Sequence, residues 1–124
     1  MIRLDTHVVV WLYTGEVEKL SPAAVKAIED ELPAISPLVG LELTYLHEIG
    51  RLTVTAAEIL DDLAQRISLA TSQALLANVV KTATALRWTR DPFDRLIAAD
   101  ALCVGASLVT KDSIIRANLE TALW

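Results

Sequence analysis

The chain has 124 residues, 53% of them hydrophobic, and carries 11 Lys and Arg against 16 Asp and Glu for a formal net charge of −5. A chain of this length can bury one core, so a single domain over residues 1–124 is expected, and a pI of about 4.9 argues against a simple basic nucleic-acid binder. Its longest uncharged run, 67–80, is broken by Ser68, Thr71, Ser72, Gln73 and Asn78 and falls short of the roughly 18 apolar residues that cross a bilayer.

Arg3 and Asp5 interrupt the first residues, so no signal peptide is expected there. The lone Cys103 has apolar neighbours and reads as a buried thiol in a reducing cytosol. A mean hydropathy of +0.43 is high for a small soluble domain, and a partner interface is the expected outlet for that surplus.

In chain order, residues 1–4 form a short apolar strand ending at Asp5. Residues 6–13 read as a helix, although rich in β-branched side chains. Ser21-Pro22 opens a helix to about Glu31, with Ser at N-cap and Pro at N1. Residues 34–35 are a short strand. Ser36-Pro37 opens the next helix, closed near Gly50. Thr55 with Glu58 forms a capping box for a helix through Arg66. A strand is expected over 67–70 and a helix over 72–86. Asp91-Pro92 starts a helix ending near Gly105, followed by a strand at 106–110, a short helix at 112–118 and a closing strand at 121–124. Strands alternating with helices on short links predict an α/β fold with a mainly parallel sheet.

Most of the 16 acids read as solvated helix faces, among them Glu29, Asp30, Glu31, Asp61 and Asp62. Four positions differ. Asp5 and Asp112 follow strands, where open α/β sheets place their ligand crevice. Glu42 is embedded in the apolar string Leu38-Val39-Gly40-Leu41-Glu42-Leu43. Asp94 stands three residues after Asp91 at a helix start, which is equally the pattern of a cap with its reciprocal acid. Each position has an ordinary structural reading. If they converge, clustered carboxylates need a cation, and an all-oxygen set favours Mg²⁺ or Mn²⁺ over Zn²⁺. His7 reads as packing. Trp11, Trp88 and Trp124 read as core or interface rather than base-stacking platforms. His47-Glu48 lacks the second His of a zinc motif.

Four segments, Leu4-Asp5-Thr6-His7 with the following Val8-Val9-Val10-Trp11-Leu12, Ser36-Pro37-Leu38-Val39-Gly40-Leu41-Glu42-Leu43, Arg90-Asp91-Pro92-Phe93-Asp94-Arg95-Leu96-Ile97-Ala98-Ala99, and Leu108-Val109-Thr110-Lys111-Asp112, together resemble the PIN domain. The likeness is closest to VapC-type toxins of bacterial toxin–antitoxin pairs and runs over essentially the whole chain. It implies a PIN-like three-layer fold with a central, mainly parallel sheet flanked by helices. It maps the family's metal-binding and catalytic acids onto Asp5, Glu42, Asp94 and Asp112, with Asp91 and Thr110 in support. On that resemblance the chain is a cytoplasmic Mg²⁺- or Mn²⁺-dependent endoribonuclease and a homodimer covered by a small antitoxin. RNA is preferred over DNA by the resemblance only. A phospho-acceptor signalling domain fits poorly, because Asp5 has no adjacent acid; a catalytically silent binding module is disfavoured by the four acids. Arg90, Arg95 and Lys111, with Arg87 and Arg116, are candidate phosphate contacts, although for each a plain solvated surface is the commoner role.

Overall fold

A computed structural model describes residues 1–124, and six of its seven α-helices start on a side chain that binds their free amides. After β1 (Ile2–Leu4), Asp5 accepts from the Thr6 amide at the head of α1 (Thr6–Thr14). A 3₁₀ turn (Val17–Lys19) leads to α2 (Pro22–Asp30), capped by Ser21, and β2 (Pro33–Ile35). Ser36 caps α3 (Pro37–Glu48) and Thr55 caps α4 (Ala56–Ile67). Then come β3 (Ala70–Thr71) and the uncapped α5 (Leu76–Ala83). Asp91 caps α6 (Pro92–Val104), β4 spans Ser107–Val109, Asp112 caps α7 (Ser113–Asn118), and β5 spans Ala122–Leu123. Each such cap is worth about 1 kcal/mol.

The five strands form one sheet in the order β3-β2-β1-β4-β5, and every pairing is parallel. The mainly parallel sheet expected from sequence is therefore wholly parallel, flanked by helices. Ile2, Leu4, Ile35, Leu108 and Val109 from the strands join Val8, Val9, Val39, Leu43, Ile59, Leu63, Ile97 and Ile115 from the helices in one core. Chain direction leaves β1 toward β2 on one side, while β4 returns on the other. The switch point lies between β1 and β4, and the crevice of such a sheet opens at the carboxyl ends of those strands.

Two expected elements are displaced, and one residue expected to be buried is not. The strand read over 67–70 begins only at Ala70, because α4 runs to Ile67 and closes at Ser68 in the left-handed region, φ 56°. The helix read over 72–86 spans only Leu76–Ala83. Ser72 is held extended, its amide donating to Ile35 O at 2.7 Å. Cys103, expected to be buried, is exposed. α6 buries Ile97, Ala98 and Ala101, and the helical period turns Cys103 outward, where its Sγ meets the Thr82 hydroxyl at 3.2 Å.

One charged pair is deeply buried. Arg3 Nε donates to Asp100 Oδ2 at 3.0 Å, and Arg3 Nη2 reaches Ser72 Oγ at 3.4 Å. Asp100 is 1% exposed and Arg3 8%, so Asp100 is no solvated helix acid. The pair ties β1, which leads into Asp5, to α6, which carries Asp91 and Asp94. Removing one partner strands the other charge in the interior. Asp100→Ala is therefore expected to lose about 3–5 kcal/mol in urea unfolding, whereas the double variant Arg3→Met/Asp100→Leu should recover most of that loss. A single-variant loss below about 1 kcal/mol would show that the pair carries no such burden.

Candidate active site

Asp5 leaves the end of β1 buried, 4% exposed. Its Oδ1 accepts from the Thr6 amide at 2.8 Å and its Oδ2 from the Thr110 hydroxyl at 2.7 Å. Thr110 Oγ1 in turn accepts from the Asp112 amide at 3.1 Å. The ends of β1 and β4 are thereby joined through one hydroxyl. The Thr6 hydroxyl donates to Glu42 Oε1 on α3. Asp5, Thr6, His7, Glu42, Arg51, Asp91, Asp94 and Asp112 all line one cleft of about 420 Å³, with Trp11 on its wall. The four acids singled out in the sequence thus share a cavity, together with Asp91. A larger groove of about 880 Å³, bordered by Leu75, Lys81, Leu102 and Cys103, lies at the other end of α6 and contains none of these acids.

The cleft perturbs its own protonation. Burial pushes the Asp94 carboxyl up to about 7, and Asp91, Asp5, Asp112 and Glu42 push in the same direction. Glu42 is also raised, chiefly by burial and then by Asp5 and Asp91, against the Thr6 hydrogen bond. His7 is shifted the other way: burial lowers it below its ordinary value despite Asp5 and Asp112. Its Nε2 accepts from the Lys111 amide at 2.8 Å and its Nδ1 lies 3.8 Å from Asp5 Oδ2. The imidazole lone pair is therefore committed to the backbone, and the N–H faces the carboxylate side.

The acids are oxygen donors of the kind that holds Mg²⁺ or Mn²⁺. No three His, Cys, Asp or Glu side chains converge here as a finished metal cage. Local bonds account for this. Asp112 Oδ1 accepts from the amides of Ile114 and Ile115, both at 2.9 Å, and Glu42 is held by Thr6. The donor set fits a hard divalent cation in kind, and the shared strain of Asp94 and Glu42 is what a cation would relieve.

The opening acids of α6 divide their roles. Asp91 Oδ1 accepts from the Phe93 amide at 2.8 Å and the Asp94 amide at 3.4 Å, which makes it the cap. Asp94 does not reach back to close a reciprocal box; it faces the cleft. The candidate phosphate contact Arg95 is turned away, its guanidinium donating to the carbonyls of Ala83 and Thr84. Its place on α6, one residue past Asp94, points it toward α5. Arg90 is exposed and donates to Arg87 O at 3.3 Å, while Lys111 Nζ lies 5.8 Å from the Trp11 ring centroid. Thr6, His7 and Arg51 were not singled out as site residues. Thr6 and His7 follow Asp5 directly, and that adjacency was the available signal. Arg51 had none, since only the turn at Gly50 brings it to the cleft.

A carboxyl held protonated in the native state but ionised in the unfolded chain loses stability as pH rises. Asp94, free at 3.8 and raised to about 7, acts between those values. His7, lowered from 6.5, acts with opposite sign, so the two must be separated by difference. In EDTA, the melting temperature of Asp94→Asn minus that of wild type is expected to grow from pH 4 to 7 and then level off. A flat difference over that range would show that neither burial nor the neighbouring acids raise Asp94 in the folded protein.

The PIN domain profile matches residues 2–118. The chain is 38% identical over 121 residues to Ribonuclease VapC22 of Mycobacterium tuberculosis (strain ATCC 25618 / H37Rv), covering 94% of this chain and 91% of the relative. It superposes with TM-score 0.62 at 22% identity on a chain of VapBC2 from Rickettsia felis bound to a DNA fragment from their promoter, covering 98% of this chain and 96% of the other. A chain of VapBC-1 from nontypeable Haemophilus influenzae gives TM-score 0.63 at 18% identity, with 98% and 95% covered. Those two likenesses speak for the fold. Together with the acids gathered where the sheet switches direction, the profile and the M. tuberculosis relative establish that this chain belongs to the PIN-domain family, among its VapC-type ribonucleases.

Proposed function

We propose that residues 1–124 form a single PIN-like domain that cuts RNA phosphodiester bonds with a divalent cation and serves as the toxin of a toxin–antitoxin pair. The observation that carries this reading is the shared cleft of Asp5, Glu42, Asp94 and Asp112, in a chain 38% identical to a ribonuclease. Those four acids would hold Mg²⁺ or Mn²⁺, with Asp91 and Thr110 in support. When bound, the cation supplies Lewis-acid polarisation of the phosphate and a lowered water pKa.

The residues around it have separable tasks. Thr110 and the Thr6 amide fix both oxygens of Asp5, so its orientation does not depend on solvent. Thr6 fixes Glu42. Asp94 carries the most raised carboxyl and is the group best able to exchange a proton near neutral pH. His7 is a neutral positioning group rather than a base, because its free lone pair is already bound by Lys111.

The surface supports two partners. Leu41 and Tyr45 on α3 and Ile49 at its C-cap recur at i, i+4 and i+8 and are 57%, 49% and 48% exposed. Leu75, Leu76 and Val80 on α5 are 71%, 65% and 45% exposed. Two apolar faces of this kind suit a second copy of the chain and an amphipathic antitoxin segment. No helix is long and apolar enough to cross a membrane, and the unpaired Cys103 is compatible with action in the cytoplasm.

The purified protein is expected to cleave RNA with Mg²⁺ or Mn²⁺ and to stop with EDTA. Asp5→Asn and Asp94→Asn should lose cleavage by at least about 100-fold, as expected when a group central to catalysis is removed, with the fold intact by circular dichroism. Asp91→Asn should be milder, since Asn also caps helices. Undiminished turnover in Asp5→Asn or Asp94→Asn would overturn the assignment. Mg²⁺ at 100 times its Kd should stabilise wild type by about 2.7 kcal/mol and Asp94→Asn by less; an equal shift in both would remove Asp94 from the ligand set.

Expression of the chain alone should arrest growth, and a co-expressed antitoxin should restore it. Normal growth with abundant folded protein would count against the toxin role while leaving the nuclease intact.

A further inference from the structure

Two tryptophans beside the cleft have no part in the chemistry above. Trp11 of α1 and Trp124 after β5 lie with ring centroids 6.2 Å apart. His7 stands 5.1 Å from Trp11 and 6.4 Å from Trp124. All three are only half-buried, and His7 and Trp11 also line the acidic cleft. Two ammonium groups flank the Trp11 ring: Lys19 Nζ at 5.5 Å and Lys111 Nζ at 5.8 Å from its centroid. Lys111 is anchored at its backbone, where its amide donates to His7 Nε2 at 2.8 Å.

Core packing alone accounts poorly for this arrangement. Lys19 is paired with Glu16 at 2.9 Å, whereas Lys111 has no carboxylate within ion-pair distance and is left to the Trp11 face. The chain has a net charge of −5, and its cleft gathers carboxylates. A polyanion approaching that cleft must find cations close by, and Lys19, Lys111 and the cleft-lining Arg51 stand there. Aromatic faces combined with cations are the chemistry that holds single-stranded nucleic acid: the base stacks, and its phosphate meets the ammonium.

We propose that Trp11 and Trp124, with Lys19 and Lys111, form the subsite for one unpaired base next to the phosphate being cut. The subsite rests on the ribonuclease reading and deepens it. It selects for a base that can leave its stack, such as one in a loop or a single-stranded stretch. It also gives an acidic protein a local grip on RNA that its bulk charge does not provide. Trp11 and Trp124, which the sequence assigned to core or interface, do pack on the core, but their remaining exposure is on the cleft side for Trp11.

The test measures binding apart from cleavage. Asp5→Asn protein is titrated by fluorescence anisotropy with a labelled single-stranded RNA spanning a cleavage site mapped with wild type. The same RNA is then used with a single abasic ribose at each position flanking that site. One abasic position is expected to weaken binding about tenfold or more. Adding Trp11→Leu should weaken binding of the intact RNA by a similar factor and erase the abasic penalty. Adding Trp124→Leu, one residue past the edge strand β5, should reduce the penalty as well, and it carries the comparison if Trp11→Leu does not fold. Lys111→Ala should lower the salt slope of binding by about one. An abasic penalty equal in the parent and in the folded Trp variants overturns the subsite, while wild-type cleavage keeps the ribonuclease reading standing. Unchanged RNA affinity with weakened antitoxin neutralisation overturns it in favour of a protein-docking role. Absence of any cleavage by wild type overturns the ribonuclease reading itself.

Discussion

Mutual repulsion among carboxylates at the carboxyl end of β1 is the constraint on which the rest of this structure depends. Asp5, Glu42, Asp91, Asp94 and Asp112 come from four different parts of the chain and line one cleft. Left in water they would separate. The fold holds them with neutral donors: the Thr6 amide and Thr110 hydroxyl on Asp5, the Thr6 hydroxyl on Glu42, and helix amides on Asp91 and Asp112. Hydrogen bonds to the charged form offset part of the repulsion. Asp94 has no such donor, and burial first, then its neighbouring acids, raise its carboxyl to about 7.

Two of these acids serve the backbone as well as the cleft. Asp91 and Asp112 each accept two amides at the start of a helix while lining the cavity. A helix N-terminus favours negative charge, so the same geometry that begins α6 and α7 also makes concentrated acid tolerable there. Capping a helix and lining the cleft are not alternatives at these positions. They diverge only at Asp94, whose side chain is left out of the cap.

The sheet supplies the remaining order. β1 is the central strand, and its neighbours β2 and β4 run parallel to it. Parallel pairing brings the ends of β1 and β4 side by side, which is why Thr110 can reach Asp5 across 105 residues of sequence. Arg3 and Asp100 fasten the same strand to α6. A break there would move Asp94 relative to Asp5 without touching either. The cations near the cleft are few: Lys19 and Lys111 stand beside Trp11, and Arg51 shares the lining with the acids.

Much of this was legible in the residues alone because it depends on local rules. Ser21, Ser36, Thr55, Asp91 and Asp112 announce helix starts through their own backbone reach, and each of those helices forms where read. Strand–helix alternation was enough for a parallel α/β sheet, and four short segments pick out four acids that the fold brings into one cleft. What depends on contacts between distant segments was not legible. Ser72 reads as the first residue of a helix in sequence but is held extended by Ile35. Asp100 looks like one more helix acid until Arg3 and Ser72 bury it. Cys103 has apolar neighbours in sequence, yet the rotation of α6 against the core leaves it outside. Arg95 stands next to a cleft acid but is captured by carbonyls of α5. His7 and Trp11 carry no functional mark until Lys111 and Trp124, more than a hundred residues away, close over them. Periodicity and capping report only a few residues of chain, whereas burial, pairing and protonation are set by neighbours that meet only when the sheet has formed.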